Sequence, residues 1–161
     1  MRHGEAEAKS TSVSDEGRHL TTQGKNQVRR VLELTLAFTD SKVDTLISSP
    51  VTRAKETAEI VKEIFDVRFC IHDDVLEPSR TPYEVFQKLS SLDSSSQVLL
   101  VTHQPLASAI VASFLKWDGE YFSMPAGSIF GIYIDRISER NLGKLAFLLP
   151  PPHVSDFQKT I

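Results

Sequence analysis

Apolar positions recur along the chain at two different spacings, and their alternation lays out the elements. Leu20-Thr21-Thr22-Gln23-Gly24 offers hydroxyls as helix caps, and Val28, Val31, Leu32, Leu34 and Leu36 continue as an apolar stripe, which predicts a helix ending near Asp40. Leu46-Ile47 reads as a short buried strand. Pro50 suits a first helical position, and Ala54, Thr57, Ala58, Val61, Ile64 and Phe65 recur behind it at helical spacing, with Arg53 in the first turn. Residues 67–72 read as a second strand, and Thr81-Pro82 opens a helix carrying Val85, Phe86, Leu89 and Leu92. The run Val98-Leu99-Leu100-Val101 suits a central strand and delivers Thr102-His103-Gln104-Pro105 into a loop, before an apolar helix to Leu115. Residues 128–134 and 145–149 are the last strands, with a turn at 141–143 and a Pro-rich tail.

Strands alternating with helices predict a three-layer α/β/α sandwich with a mostly parallel central sheet and helices on both faces. Residues 1–150 are expected to form a single domain, residues 151–161 a loosely held tail, and no internal repeat or lid insertion is visible. Ligands of such sheets bind beyond the carboxyl ends of the strands. Three segments fall at or just after expected strand ends: Arg2-His3, Ser49-Pro50-Val51-Thr52-Arg53 and Thr102-His103. They are free to converge on one pocket, with the Ser/Thr-rich residues 9–15 as a loop beside it.

Composition narrows the function classes. The 161 residues are 40% apolar and 24% charged, an ordinary globular balance. A formal net charge of −3 gives no general attraction to nucleic acid or to anionic membranes. Any anion must therefore be held by a local cluster of Arg, Lys or His. The single cysteine, Cys70, makes no internal disulfide and is expected in the core, as are the Phe and Leu stripes. No apolar run reaches spanning length and no signal core is present, so a soluble, cytoplasmic protein is expected. His72 with Asp73 and Asp74 does not make a metal site, and neither a metal nor another cofactor is implied.

A phosphoryl group in transfer spreads negative charge over three equatorial oxygens, so its site needs fixed positive donors and an in-line nucleophile. Arg2, His3, Arg53 and His103 make up such a set. Arginine presents a planar fork that matches phosphate oxygens in pairs, and a neutral imidazole nitrogen can attack phosphorus. Each residue alone has a plainer reading: Arg2 as a solvated group, His3 as a turn residue, His103 as a satisfied core histidine, Arg53 paired with Glu56 or Glu59 on its helix. Their common placement at strand ends argues for a shared anion site.

Arg2-His3-Gly4-Glu5-Ala6 resembles the signature of the histidine phosphatase, or phosphoglycerate mutase-like, superfamily. Further segments match in order. Arg18-His19-Leu20-Thr21-Thr22-Gln23-Gly24 is similar to the family's Arg-x-Leu-Thr-x-x-Gly, and Ser49-Pro50-Val51-Thr52-Arg53-Ala54-Lys55-Glu56-Thr57-Ala58 to its Ser-Pro-x-x-Arg-Ala-x-x-Thr-Ala. Val101-Thr102-His103-Gln104-Pro105 matches the second catalytic histidine, and Ala126-Gly127-Ser128 looks like the last pocket loop. The resemblance implies His3 as nucleophile, Arg2, Arg53 and His103 on the phosphoryl oxygens, and Arg18 as an additional contact. The short chain without a lid looks most like the SixA-type phosphohistidine phosphatases, which implies a phosphohistidine domain of a partner protein as substrate. His19, His72 and His153 match no family position and are assigned surface or structural roles.

Glu77, in Val75-Leu76-Glu77-Pro78, is the carboxylate in an expected pocket loop. It is read either as a conditional general acid or as a solvated residue. An imidazole leaves from phosphohistidine with an ordinary pKa of about 6.5 and needs little help, whereas an alkoxide needs an acid. The family's apolar strand before Arg-His-Gly is reduced here to Met1, so the loop is expected to be anchored otherwise or the site to be weakened. Two rival readings stand beside the first: a phosphatase for small phosphomonoesters or nucleotide-linked phosphates, and a phosphoprotein-binding module with poor turnover. The identity of the phosphorylated partner and the oligomeric state are left open by the sequence.

Overall fold

The computed structural model describes residues 1–11, 14–40, 42–93, 96–117, 123–135 and 143–152. The expected turn at Asn141 and Leu142, His153 and nearly all of the expected tail lie outside those residues. In order, the elements are α1 (Thr22–Thr35), β1 (Lys42–Ser48), α2 (Thr52–Ile64), β2 (Asp66–His72), α3 (Pro82–Ser90), β3 (Val98–Val101), α4 (Leu106–Leu115), β4 (Ile129–Tyr133) and β5 (Lys144–Leu149).

Three strands run parallel in the order β2-β1-β3, and β4 pairs antiparallel with β5. The segment Met1-Arg2-His3 lies between these two groups. Arg2 bridges Thr102 in parallel sense. Thr102 N–H donates to Met1 O at 3.1 Å and His3 N–H to Thr102 O at 3.0 Å on one side; Arg2 N–H donates to Ser128 O at 3.0 Å and Gly127 N–H to His3 O at 2.8 Å on the other. Three residues thus do the work of a central strand and hold His3 from both sides. This is how the loop is anchored.

Alternating residues of β1 face opposite layers. Leu46 packs with Val28, Val31 and Leu32 of α1 and Ala54, Ala58 and Val61 of α2. Ile47 packs with Val85 and Leu89 of α3 and Leu106, Ile110 and Phe114 of α4. The result is the expected α/β sandwich, with a mostly parallel sheet between two pairs of helices.

Four local expectations are corrected. Helix α1 stops at Thr35, not near Asp40, because Thr35 Oγ1 turns back onto Val31 O at 2.8 Å and Leu34 and Leu36 find no partner layer and stay exposed. Helix α2 begins at Thr52, with Pro50 ahead of it, because Ser49 Oγ accepts from Val51 N–H at 3.3 Å and shapes the entry. Cys70 is exposed, since β2 is an edge strand and no helix covers it there. Phe69 on the same strand and Phe38 after α1 are likewise more than half exposed, so not every Phe and Leu stripe is core.

Candidate active site

The site assembles where β1, β3 and the N-terminal segment end. Two glycines set its floor. A Cβ on Gly4 would lie 2.7 Å from Val28 Cγ2 and 3.0 Å from Gly24 O. One on Gly24 would meet the Glu5 backbone at 2.2 Å, so only glycine lets the first turn of α1 press against the loop that carries His3. Thr21 caps α1 by accepting from Gly24 N–H at 2.9 Å, and Thr21 N–H in turn donates to Glu5 O at 3.0 Å. Thr57 of α2 accepts from Gly4 N–H at 3.1 Å and donates to Arg53 O at 2.8 Å, tying the His3 loop to the helix that bears Arg53.

His3 is buried and its protonation state follows from its partners. Gly4 O lies 2.7 Å from Nδ1 and can only accept, so Nδ1 carries the proton. Arg53 Nε lies 3.1 Å from Nε2 and can only donate, so Nε2 holds a lone pair. Burial pushes the His3 pKa down to about 4; the Gly4 carbonyl opposes this, while Arg53, Arg2 and Arg18 push it lower still. The ring is therefore neutral at physiological pH, with the lone pair of Nε2 among cations.

His103 faces it, with ring centroids 4.9 Å apart and an interplanar angle of 56°. It is 1% exposed, and neither ring nitrogen has a hydrogen-bond partner among the described residues. Burial above all, with the neighbouring His3 and Arg53 adding to it, lowers its pKa to about 3. Buried polar atoms without partners are costly, and here several converge: both nitrogens of His103, Nε of Arg2 and Oγ of Ser128. A tetrahedral anion would supply the acceptors that the donors among them lack. Arg2 is fixed by its Nη1 donating to Met124 O at 2.5 Å.

Arg53 is 4% exposed, and its far end is held by a residue that no motif had singled out. Asp15 O accepts from Nη1 at 2.6 Å and Asp15 Oδ2 from Nη2 at 3.2 Å. Asp15 Oδ1 takes Arg18 Nη2 at 2.7 Å and Nε at 3.2 Å, so one carboxylate spans both guanidinium groups. The only signal in the sequence was its position three residues before Arg18 in a loop otherwise read as Ser/Thr-rich. Arg18 lies at the site's outer margin, bound to Asp15 and to Glu7 O at 2.6 Å, close enough for its charge to be felt at His3.

Glu77 stands apart from this cluster. It is half-buried and lines a cleft of about 350 Å³ together with Glu16, Val51 and Thr52, beside Arg53 rather than around His3. His19 binds Glu56 at 2.8 Å on the surface and His72 binds Ser48 Oγ at 2.7 Å, as structural readings had it. Among the described residues no group of His, Cys, Asp and Glu has the arrangement to hold a metal, and no helix is long and apolar enough to cross a membrane.

Comparison with known proteins gives the cluster its context. The chain is 34% identical to a phosphohistidine phosphatase SixA homologue of Haemophilus influenzae over 122 residues, covering 70% of this chain and 73% of that one. The structure of the protein histidine phosphatase SixA complexed with tungstate superposes with a TM-score of 0.78 at 26% identity, over 94% of both chains. A SixA-like structure from Nakamurella shares the fold with a TM-score of 0.76 at 18% identity, over 95% of this chain and 94% of that one. The sequence profile of the histidine phosphatase superfamily, branch 1, matches residues 1–84, the stretch that carries Arg2, His3 and Arg53. With that match over half its length, the chain belongs to the histidine phosphatase superfamily, branch 1, and is a hydrolase acting on phosphoryl groups.

Proposed function

We propose that the chain removes the phosphoryl group from phosphohistidine on a partner protein by two displacements at His3. The observation that carries this reading is the His3 imidazole itself: neutral, protonated on Nδ1, with the Nε2 lone pair directed at Arg53. In the first step Nε2 attacks phosphorus, and the bond from phosphorus to the substrate imidazole breaks. The departing nitrogen takes a proton from solvent. In the second step water attacks the phosphoryl group on His3, giving inorganic phosphate and restoring the neutral ring. Arg2, Arg53 and His103 grip the equatorial oxygens, and Arg18 reinforces the field from behind Asp15. Arg53 must pass its Nε–H from His3 to the incoming oxygen, which frees the lone pair as substrate arrives.

The names of the Haemophilus influenzae relative and of the tungstate-bound structure support phosphohistidine as the substrate class. A phosphohistidine-bearing protein also suits a site in which Asp15 is tied up by Arg53 and Arg18 and Glu77 stands in the adjoining cleft. We place the protein in the cytoplasm, as one domain over residues 1–150 with a short tail after it. A second reading, hydrolysis of small phosphomonoesters, draws on Glu77 in the adjoining cleft as a proton donor.

Parallel turnover assays on a phosphohistidine protein and on a panel of small phosphate esters test the choice. Faster turnover of the protein, with an acid-labile, base-stable phosphoenzyme trapped on His3, is the expected result. Preference for esters would transfer the function to the second reading. Binding of the phosphoprotein without turnover would make the chain a recognition module.

A further inference from the structure

Arg2 is held quite differently from the other arginines of the site. Asp15 ties down Arg53 and Arg18 together, whereas no carboxylate among the described residues pairs with Arg2. Its Nε is buried without an acceptor, and one carbonyl, Met124 O, takes Nη1 at 2.5 Å. A guanidinium that is not paired keeps its charge for an incoming anion. The direction of its planar fork then depends on how firmly Met124 is held.

Met124 lies in a stretch without helix or strand between α4 and β4. Its side chain is 1% exposed and packs against Ala107 and Val111 of α4. Its N–H donates to Ser108 Oγ of the same helix at 3.2 Å, and Gln104 Nε2 donates to that oxygen as well. Ser108 is the one polar side chain among the buried residues of α4, beside Leu106, Ala107, Ile110, Val111 and Phe114. A buried hydroxyl in so apolar a helix is costly unless it is hydrogen-bonded. Both of its bonds lead back to the site: one to Met124, whose carbonyl holds Arg2, the other to the residue that follows His103.

The same turn of helix fixes His103. Ala107 N–H donates to His103 O at 2.7 Å, and the next residue supplies the hydroxyl that holds Met124. Farther along the loop, Gly127 N–H donates to His3 O and Ser128 O accepts from Arg2 N–H, which fixes the backbone of the N-terminal segment but leaves the Arg2 side chain to Met124. We propose that Ser108 is a positioning residue for Arg2, acting through Met124, so that α4 sets the Arg2 guanidinium and the His103 ring in one frame. The inference rests on the proposed assignment of Arg2 to the phosphoryl oxygens.

Calorimetric titration with inorganic phosphate tests it on the wild type, Ser108→Ala, Arg2→Met and the double variant. Ser108→Ala removes the acceptor of Met124 N–H and is expected to weaken phosphate binding about five- to tenfold. Arg2→Met removes the group that Met124 O orients, and in that background Ser108→Ala should change the phosphate Kd by less than about twofold, because no guanidinium is left to misplace. A residue that merely supports the fold would cost the same in both backgrounds, and that result overturns the proposal. So does an unchanged Kd in Ser108→Ala where Arg2→Met is impaired. Wild-type phosphate binding by Arg2→Met would instead refute the assignment of Arg2 itself, and the positioning role would fall with it. Should Ser108→Ala fail to fold, the shape-matched pair Ser108→Thr and Ser108→Val isolates the hydroxyl. Ser108→Thr should then bind phosphate within about twofold of the wild type and Ser108→Val about five- to tenfold more weakly, and equal affinities overturn the proposal.

Discussion

His3 and Arg53 are each fixed from several sides; Glu77, in the cleft beside Arg53, is held by far less. His3, Arg53 and His103 are 7%, 4% and 1% exposed, and backbone carbonyls, Thr57 and Asp15 dictate how the first two sit. The cleft with Glu16 and Glu77 is open, and the Glu77 side chain has no hydrogen-bond partner among the described residues. The difference teaches where this enzyme places its precision. On the mechanism proposed above, charge that develops on phosphoryl oxygens meets preorganised donors, whereas the side from which the leaving group departs is left to substrate and solvent. A good leaving group tolerates that asymmetry; a poor one does not.

Breaking the ordered side at its centre should have the largest effect. His3→Ala removes the nitrogen proposed to attack phosphorus and should lower turnover at least about 10⁴-fold, by analogy with loss of other enzymic nucleophiles, while the circular dichroism spectrum stays native. Phosphate trapped on another residue of the variant would show that the nucleophile lies elsewhere. Arg53→Lys comes next. A point charge cannot donate to His3, to Asp15 and to two phosphoryl oxygens in turn, so a loss of about 10²–10³ in kcat is expected. Near-normal rates would reduce Arg53 to a helix residue that happens to be buried.

Asp15→Asn sharpens the comparison from the rim. The amide still accepts from one guanidinium but no longer neutralises both Arg53 and Arg18, so the fork of Arg53 loses its lock. The expected loss is about tenfold in kcat, as for other residues that orient a contact residue. Inorganic phosphate should bind no more weakly, because a competing negative charge is gone. Asp15→Glu should recover part of the rate. A loss confined to KM would instead place Asp15 in substrate binding.

Acid probes the same ordering through stability. In the folded protein His3 and His103 sit at about 4 and about 3, against 6.5 for a free imidazole. Between pH 6.5 and these values the unfolded chain binds more protons than the folded one, so stability is full above 6.5 and falls as pH drops through that window. The melting temperature of the wild type should therefore fall more between pH 7 and pH 5 than that of a His3→Gln, His103→Gln double variant. Parallel curves would mean that the imidazoles are not held neutral by burial.

Much of the ordered side was legible in the sequence because its residues sit in fixed registers with glycines and strand ends. Arg2-His3-Gly4 and the Leu-Thr-x-x-Gly segment are one packing unit, since Gly4 and Gly24 touch across the Glu5 backbone. The α/β alternation was legible for the same reason: β1 and α4 are largely buried, β3 is half-buried, and their apolar patterns have to agree with the layers. Asp15 was not legible, because an exposed carboxylate three residues from Arg18 reads as an ordinary local pair, and its meaning comes from Arg53, which is distant in sequence. Nor was the exposure of Cys70 and Phe69. An apolar strand reads alike at the centre and at the edge of a sheet, and only the strand order β2-β1-β3 tells them apart.

The smallest expected effect belongs to the unordered side. Glu77→Gln on a phosphohistidine protein should change turnover by less than about threefold, because an imidazole departs without strong acid assistance near neutral pH. The same variant assayed on an alkyl phosphate should lose whatever rate Glu77 supports by protonating the leaving oxygen, up to about 10²-fold. Selective loss on the ester would make Glu77 a conditional acid, reached from the cleft only when a small substrate brings its leaving group there. Equal loss on both substrates would tie Glu77 to binding, and would mean that the cleft beside Arg53 is as much a part of the ordered site as His3. Equal retention would leave it a solvated carboxylate, and the asymmetry between the two regions would then be complete.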